Sequence, residues 1–295
     1  MKICRFNDNR LGLIEGDEIV DVTPALEAIP PMRYPAPLGD QLVANWAAVM
    51  AKVAAMKGAA PRQALAGVKL LPPVGNPTKI INAPINYVKH IQESNADPGI
   101  KHGRTTITHI SDWGLFLKAT SSLVGFGDEV KLLYPERRND HELELAVVIG
   151  KQGKNIPRQK AREYILGYAM GLDMTTRGKE LLSWRKSGDS YALLGPWLTT
   201  ADEIADPNAL DLELKVNGAT RQKANTCDLV YNVDRLIEYA SDKYTLYPGD
   251  VILTGTPEGV GPVVPGDVMQ LYIAGLGHAE VKIAGAYAGP PAREP

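Results

Sequence analysis

Thiols are scarce: Cys4 and Cys227 are the two cysteines in 295 residues, and no C-x-x-C pair occurs. That excludes a disulfide framework and fits two buried thiols in a reducing compartment. Excess charge is lacking too. A formal net charge of −2 with 22% charged residues leaves no electrostatic footprint for nucleic acid and no polybasic membrane patch. No stretch approaches the roughly 18 apolar residues of a membrane span, and residues 1–22 contain no apolar signal core. Internal repeats and low-complexity tracts are also missing. What remains is an expected soluble, cytoplasmic protein whose partner is a small molecule or another copy of itself.

The chain is long enough to bury a substantial core. We expect a small N-terminal domain over residues 1–70 and a main body over 71–295. Residues 2–6, 11–15 and 18–22 read as short strands parted by Asn7-Asp8-Asn9 and Gly16-Asp17. After a proline-rich linker over 30–37, Leu42, Val43, Trp46, Val49, Met50 and Val53 recur at helical spacing. A helix over 41–56 should therefore lie on that meander, and the stretch "LLPPVGNPTKI" marks the domain boundary.

In the main body an apolar strand over 79–83 ends at Pro84, and a long, polar, unpatterned loop fills 95–112. Pro157 should open a helix with Ala161, Ile165, Leu166 and Ala169 on one face. "GYAMGLDMT" reads as a strand ending at Asp173, "DLELKVNGATRQ" as a hairpin and "VDRLIEYAS" as a helix. "GDVILTGTP" and "GDVMQLYIAGLGHAEVKIAG" are further strands. Many short strands with few helices make the fold class α+β, mainly β: a β-sandwich or roll.

The stretch "DHELELAVVIG" carries the first chemical signal. Side chains alternate along a strand, so Glu142 and Glu144 share a face about 6 to 7 Å apart. Two like charges that close need a cation or a shared proton. The apolar run after them argues for a buried strand. Asp173, at the end of the next apolar strand, converges with them if the strands are neighbours. Three carboxylates suit Mg²⁺ or Mn²⁺ rather than Zn²⁺, because no histidine or cysteine is spaced to join them. The same spacing also suits an exposed acidic strand end.

His90 and Glu93 stand one helical turn apart, so the carboxylate can fix the imidazole tautomer and raise its basicity. A solvated histidine on a short helix has the same spacing. Lys186, in "WRKSGDSY" near Asp189, is a candidate for stabilising negative charge. The glycines of "TGTPEGVG" match neither a P-loop nor a Rossmann fingerprint. That stretch reads as a tight turn whose Thr254 and Thr256 hydroxyls and N–H groups could hold a carboxylate.

Taken together, "NYVKHIQES", "FLKATSSL", "DHELELAVVIGK", "GYAMGLDMTTR", "KSGDSYALLGP", "VNGATRQ" and "PGDVILTGTPEGVG" resemble, in order and spacing, the fumarylacetoacetate hydrolase family. That family includes the acylpyruvate hydrolases, and the resemblance spans roughly residues 71 to 285. It implies a mixed β-sandwich roll behind a small N-terminal α/β domain, usually a homodimer, with Mg²⁺ or Mn²⁺ on Glu142, Glu144 and Asp173. It further implies that Lys186 lies beside the metal and that His90 and Glu93 form a catalytic dyad on a short lid helix. Lys118, Arg177 and Thr256 are expected at the substrate.

Three positions depart from the family pattern. Ala119 replaces a usual proline, Glu180 replaces a frequent glutamine, and the loop over 95–112 is long. The last two border the substrate tail. Lys101, His102, Arg104 and Arg177 hint at an acidic or polyhydroxy tail.

The chemistry implied is metal-dependent hydrolysis of a carbon–carbon bond in a 2,4-dioxo acid. His90, oriented by Glu93, would deprotonate water for attack on the 4-oxo carbon, and the metal with Lys186 would stabilise the departing pyruvate enolate. Alternatives are decarboxylase, isomerase or lyase chemistry on a 2-oxo acid in the same family, and a non-catalytic metal- or ligand-binding protein on this fold.

Overall fold

The computed structural model describes residues 1–101 and 106–285. His102 and Arg104 of the expected cationic loop lie outside these residues.

Three neighbouring strands set up the centre of the molecule. The carboxylate strand Leu143–Ile149 is buried along its whole length and, apart from Glu144, apolar on both faces, so it must be covered on both sides. It pairs antiparallel with Ile165–Asp173 on one edge and with Val251–Leu253 on the other. Outward from there, Ile165–Asp173 pairs with Ala192–Thr200. Ala192–Thr200 pairs in turn with the N-terminal strand Lys2–Phe6. On the far side Val251–Leu253 runs parallel to Ile80–Asn82, which pairs with Phe116–Lys118.

These strands belong to one twelve-stranded mixed sheet that also takes in the N-terminal meander, Arg10–Glu15 and Glu18–Asp21. A five-stranded sheet built on the hairpin Asp211–Val216 and Ala219–Asn225 stands beside it. A short three-stranded sheet joins Asn139–His141 to Thr175–Thr176 and Gly261–Pro262. Open mixed sheets with few helices agree with the expected class.

The large core cluster draws Leu143, Leu145 and Val147 from one face of the carboxylate strand, with Leu212, Leu214 and Met269 of the second sheet. Ala146 and Val148, on the opposite face, pack into a second cluster with Ile80, Val251 and Leu194. The helix Trp46–Met56 buries Val49 and Val53 against Leu11, Leu13 and Val20 of the meander.

Two expectations fail locally. Pro157 opens only a 3-10 helix, Arg158–Tyr164, after which Ile165–Asp173 is strand. Ile165, Leu166 and Ala169 are therefore strand residues. Gly167 shows why: a Cβ there would lie 2.3 Å from the Thr199 carbonyl, a backbone approach made by sheet pairing. The polar stretch over 95–112 is likewise not one structureless loop, because Val88–Ala96, Pro98–Lys101 and Ile110–Trp113 are helical. Local side-chain bonds replace the missing pattern: Asn95 accepts from the Ile107 N–H (2.9 Å) and donates to the Ile107 carbonyl (2.7 Å).

The cysteines also divide. Cys4 is buried, and burial pushes its thiol up to about 12, against the hydrogen bonds from its own and Gly12's backbone. Cys227 is exposed, contrary to the expectation of two buried thiols. Native protein should therefore react with a disulfide reagent at one thiol per chain, and at two after unfolding. A count of two in the native state would contradict the packing of Lys2–Phe6. Among the described residues no helix is long and apolar enough to cross a membrane.

Candidate active site

The three acidic residues converge because two antiparallel strands place them together. Glu142 lies between Asn139–His141 and the carboxylate strand, whose second residue is Glu144, while Asp173 ends the paired strand. Register sets Leu143 opposite Leu172 and Glu144 opposite Gly171. One ligand oxygen from each of Glu142, Glu144 and Asp173 can be chosen so that all lie within 4.8 Å of one another, and all three residues are buried. The open reading of an exposed acidic strand end is thereby removed.

Basic residues surround the cluster. The Lys186 ammonium donates to Glu142 Oε2 at 2.6 Å, Asp173 Oδ2 at 2.8 Å and Thr175 Oγ1 at 2.6 Å. Asp189, close in sequence, is exposed and is not among those partners. Lys118 pairs with Asp173 Oδ1. Arg177 donates from Nη2 to Glu142 (2.8 Å) and from Nε to Asp140 (2.6 Å). Burial works against the charge on Glu142, but Lys186 and Arg177, with His90 beyond them, hold its carboxyl down at about 2. Glu144 behaves oppositely. Burial, then the charges of Asp173 and Glu142, push it well above the ordinary carboxylate range.

That crowding is the test of whether a cation fits. An all-oxygen set of three buried carboxylates, one of them destabilised by its neighbours' charge, suits a hard divalent ion better than a softer one. The residues that would hold it are Glu142, Glu144 and Asp173.

His90 and Glu93 sit on the helix Val88–Ala96, where Nδ1 of His90 lies 2.9 Å from Glu93 Oε2. The other Glu93 oxygen accepts from the Gly259 N–H at 2.9 Å. His90 is buried, and it lines one cavity with Glu142, Arg177, Lys186 and Arg185. Ile100, Ile107, Trp113 and Leu182 form the apolar part of that cavity's wall. Glu144 and Asp173 cluster with Glu142 but are not part of that lining.

The loop after Val251–Leu253 serves both groups. Its Gly255 N–H donates to Glu144 Oε2 (2.6 Å), while Gly259 holds Glu93. Both glycines have positive φ, +95° and +90°, where other residues are strained. The Thr256 hydroxyl donates to the Leu143 carbonyl (2.9 Å) and accepts from Gln222 Nε2 (2.7 Å). It is thus occupied inside the protein. Thr254 Oγ1 is buried without a partner among the described residues.

The three departures now have physical accounts or partners. Ala119 keeps φ at −59°, the value a proline imposes, and its N–H donates to Ser187 Oγ at 2.9 Å, which proline cannot do. Glu180 forms a two-point pair with Arg137, at 3.1 and 2.9 Å. The stretch over 95–112 delivers Ile100 and Ile107 to the cavity. Sequence reasoning missed those two, Arg185, Asp140 and Gln222. Asp140 opened the acidic stretch beside two arginines, and Gln222 closed the "VNGATRQ" stretch, so both had a weak signal.

Fold and site together define an enzyme on an open mixed-sheet scaffold with a candidate divalent-cation centre. Residues 79–284 match the family described as Fumarylacetoacetate (FAA) hydrolase C-terminal, and the chain belongs to that family. It is 55% identical over 284 residues to the maleylpyruvate hydrolase of Aquipseudomonas alcaligenes, covering 96% of this chain and 99% of that one. The crystal structure of maleylpyruvate hydrolase from Sphingobium sp. SYK-6, in complex with manganese(II) ion and pyruvate, is similar at TM-score 0.81 and 39% identity, over 97% of this chain and 100% of that chain. A more distant relative is the mitochondrial oxaloacetate tautomerase FAHD2 of Arabidopsis thaliana, 39% identical over 70% of this chain and 90% of its own.

Proposed function

We propose that this chain is a metal-dependent hydrolase that splits the carbon–carbon bond of an acylpyruvate, giving pyruvate and a carboxylate. The observation that carries this reading is the placement on one cavity of His90, bonded to Glu93, and Glu142, which clusters with Glu144 and Asp173. The relatives named maleylpyruvate hydrolase support it.

A divalent cation on Glu142, Glu144 and Asp173 supplies Lewis-acid polarisation of the 2-oxo acid. Glu93 fixes the proton of His90 on Nδ1, which leaves Nε2 as the acceptor for a proton from water. The hydroxide so formed adds to the 4-oxo carbon. Collapse of the adduct breaks the bond to carbon 3, and its electron pair leaves in the pyruvate enolate, which is then protonated. Lys186 contributes through its charge, because its three N–H groups are already given to Glu142, Asp173 and Thr175. Lys118 acts on the same cluster through Asp173. Arg177 sets the orientation of Glu142, and Thr256 orders the loop.

The tail is read as acidic. Arg185 is buried on the cavity wall and anchored by Nε to the Glu180 carbonyl at 2.9 Å, placing a cation beside Trp113 and Leu182. We read the physiological ion as Mg²⁺ or Mn²⁺ and the compartment as cytoplasmic. A homodimer is supported by exposed Leu181 and Trp184 near the site. The same reading keeps residues 1–70 as a small N-terminal domain and 71–295 as the catalytic one.

The test is a turnover panel after chelation. Mn²⁺ or Mg²⁺ should restore activity, with maleylpyruvate preferred to acetylpyruvate by tenfold or more in kcat/KM. Release of CO₂ instead of a second carboxylate would assign the site to decarboxylation.

A further inference from the structure

Gln222 lies on Ala219–Asn225, in the second sheet, and is fully buried. Its carbonyl oxygen accepts from the Leu143 N–H at 3.0 Å and lies 3.2 Å from His141 Nδ1. Its amide donates to Thr256 Oγ1 at 2.7 Å and to the Pro257 carbonyl at 3.0 Å. Thr256 closes the ring by donating to the Leu143 carbonyl. Leu143 is the residue between Glu142 and Glu144. Both of its backbone polar groups are therefore held by Gln222 and by the hydroxyl that Gln222 grips.

The gripped loop is the one whose Gly255 N–H holds Glu144 and whose Gly259 N–H holds Glu93. Steric contact reinforces the grip, since a Cβ on Gly259 would lie 1.8 Å from the Arg221 carbonyl and 3.2 Å from Gln222 Cα. The polar link from the second sheet to the carboxylate strand and the loop thus runs through the Gln222 amide.

We propose that Gln222 is a positioning residue that locks the loop 254–261 to the carboxylate strand, fixing the His90–Glu93 pair at a set distance from the Glu142–Glu144–Asp173 cluster. The inference rests on the reading of those two groups as dyad and metal site. A buried amide with both ends satisfied resists sliding in either direction, since any shift leaves a buried donor or acceptor unpaired. Outer partners of this kind typically govern metal affinity by about 10- to 100-fold, and small misplacement of a dyad lowers turnover by about 100-fold.

The experiment replaces Gln222 in the full chain by methionine, which keeps the volume, and by glutamate, which keeps the acceptors and removes the donor. Mn²⁺ affinity is measured by calorimetry on metal-free protein. Exchange of the Gly255 and Gly259 amides is measured alongside kcat and KM. Expected are roughly 10-fold weaker Mn²⁺ binding and faster exchange at both glycines. The expected loss in kcat is 10- to 100-fold, with KM changed less than threefold.

A folded variant with lower Tm, but Mn²⁺ affinity and kcat within twofold of the original, would overturn the proposal and leave Gln222 a packing residue. Should the methionine variant fail to fold, Gln222→Glu decides by the same readings. The metal titration and amide exchange need no substrate. Failure of the unaltered protein to hydrolyse any acylpyruvate would therefore count against the proposed activity while these two readings still judge Gln222.

Discussion

His90→Ala should lower kcat for an acylpyruvate by about 10²- to 10⁴-fold, the usual share of a positioned general base, while Mn²⁺ binds as before. The separation follows from the geometry. Nδ1 of His90 is spent on Glu93, and the ligand cluster is Glu142, Glu144 and Asp173, so removing the ring takes away a proton acceptor and no ligand. His90 touches the cluster only through its field, as a minor contribution, behind Lys186 and Arg177, to holding Glu142 ionised against the effect of burial. The check is single-turnover kinetics with a parallel Mn²⁺ titration. Full activity in the variant would remove His90 from the mechanism. Lost activity together with lost Mn²⁺ binding would place the ring among the ligands instead.

The second large effect separates two acidic residues. Glu144→Gln should leave the metal-free protein as stable as before or more so. It removes a charge that burial, Asp173 and Glu142 all oppose, and the new side-chain oxygen can still accept from the Gly255 N–H. Asp173→Ala should instead destabilise the metal-free protein by about 3 to 5 kcal/mol, because Lys118 and Lys186, both buried, lose a shared partner. Both variants should lose the rise in Tm that saturating Mn²⁺ gives the original chain. Urea unfolding in chelator, then melting with Mn²⁺, reads both. A strong loss of metal-free stability in Glu144→Gln would show that Glu144 is paired and not crowded.

The parts legible in the sequence were those whose signal is local. The alternation Glu142-Leu143-Glu144 and the one-turn step from His90 to Glu93 are short-range patterns, and the hairpin in "DLELKVNGATRQ" is marked locally by its Asn217-Gly218 pair. What stayed hidden depends on contacts between distant segments. Pro157 announced a helix, but pairing of Ile165–Asp173 with two strands overrode the apparent helical face. Ile100 and Ile107 sat in a polar stretch with no period, and only the fold turns them into a cavity wall. The Lys118 ammonium gave no hint that it would meet Asp173. Cys227 became exposed for the same kind of reason, since one residue in a short turn has no pattern to read.

The pairing of Ile80–Asn82 with Val251–Leu253 also sets a schedule for synthesis. Glu142, Glu144 and Asp173 leave the ribosome long before Gly255 and Gly259, the backbone donors that hold Glu144 and Glu93. Until then the nascent chain carries Glu144 without its Gly255 donor, and Ile80–Asn82, paired on one side with Phe116–Lys118, keeps its other edge open. Such late, long-range closure belongs to slowly folding topologies. Fragments ending before about residue 260 should therefore engage chaperones rather than divalent cations.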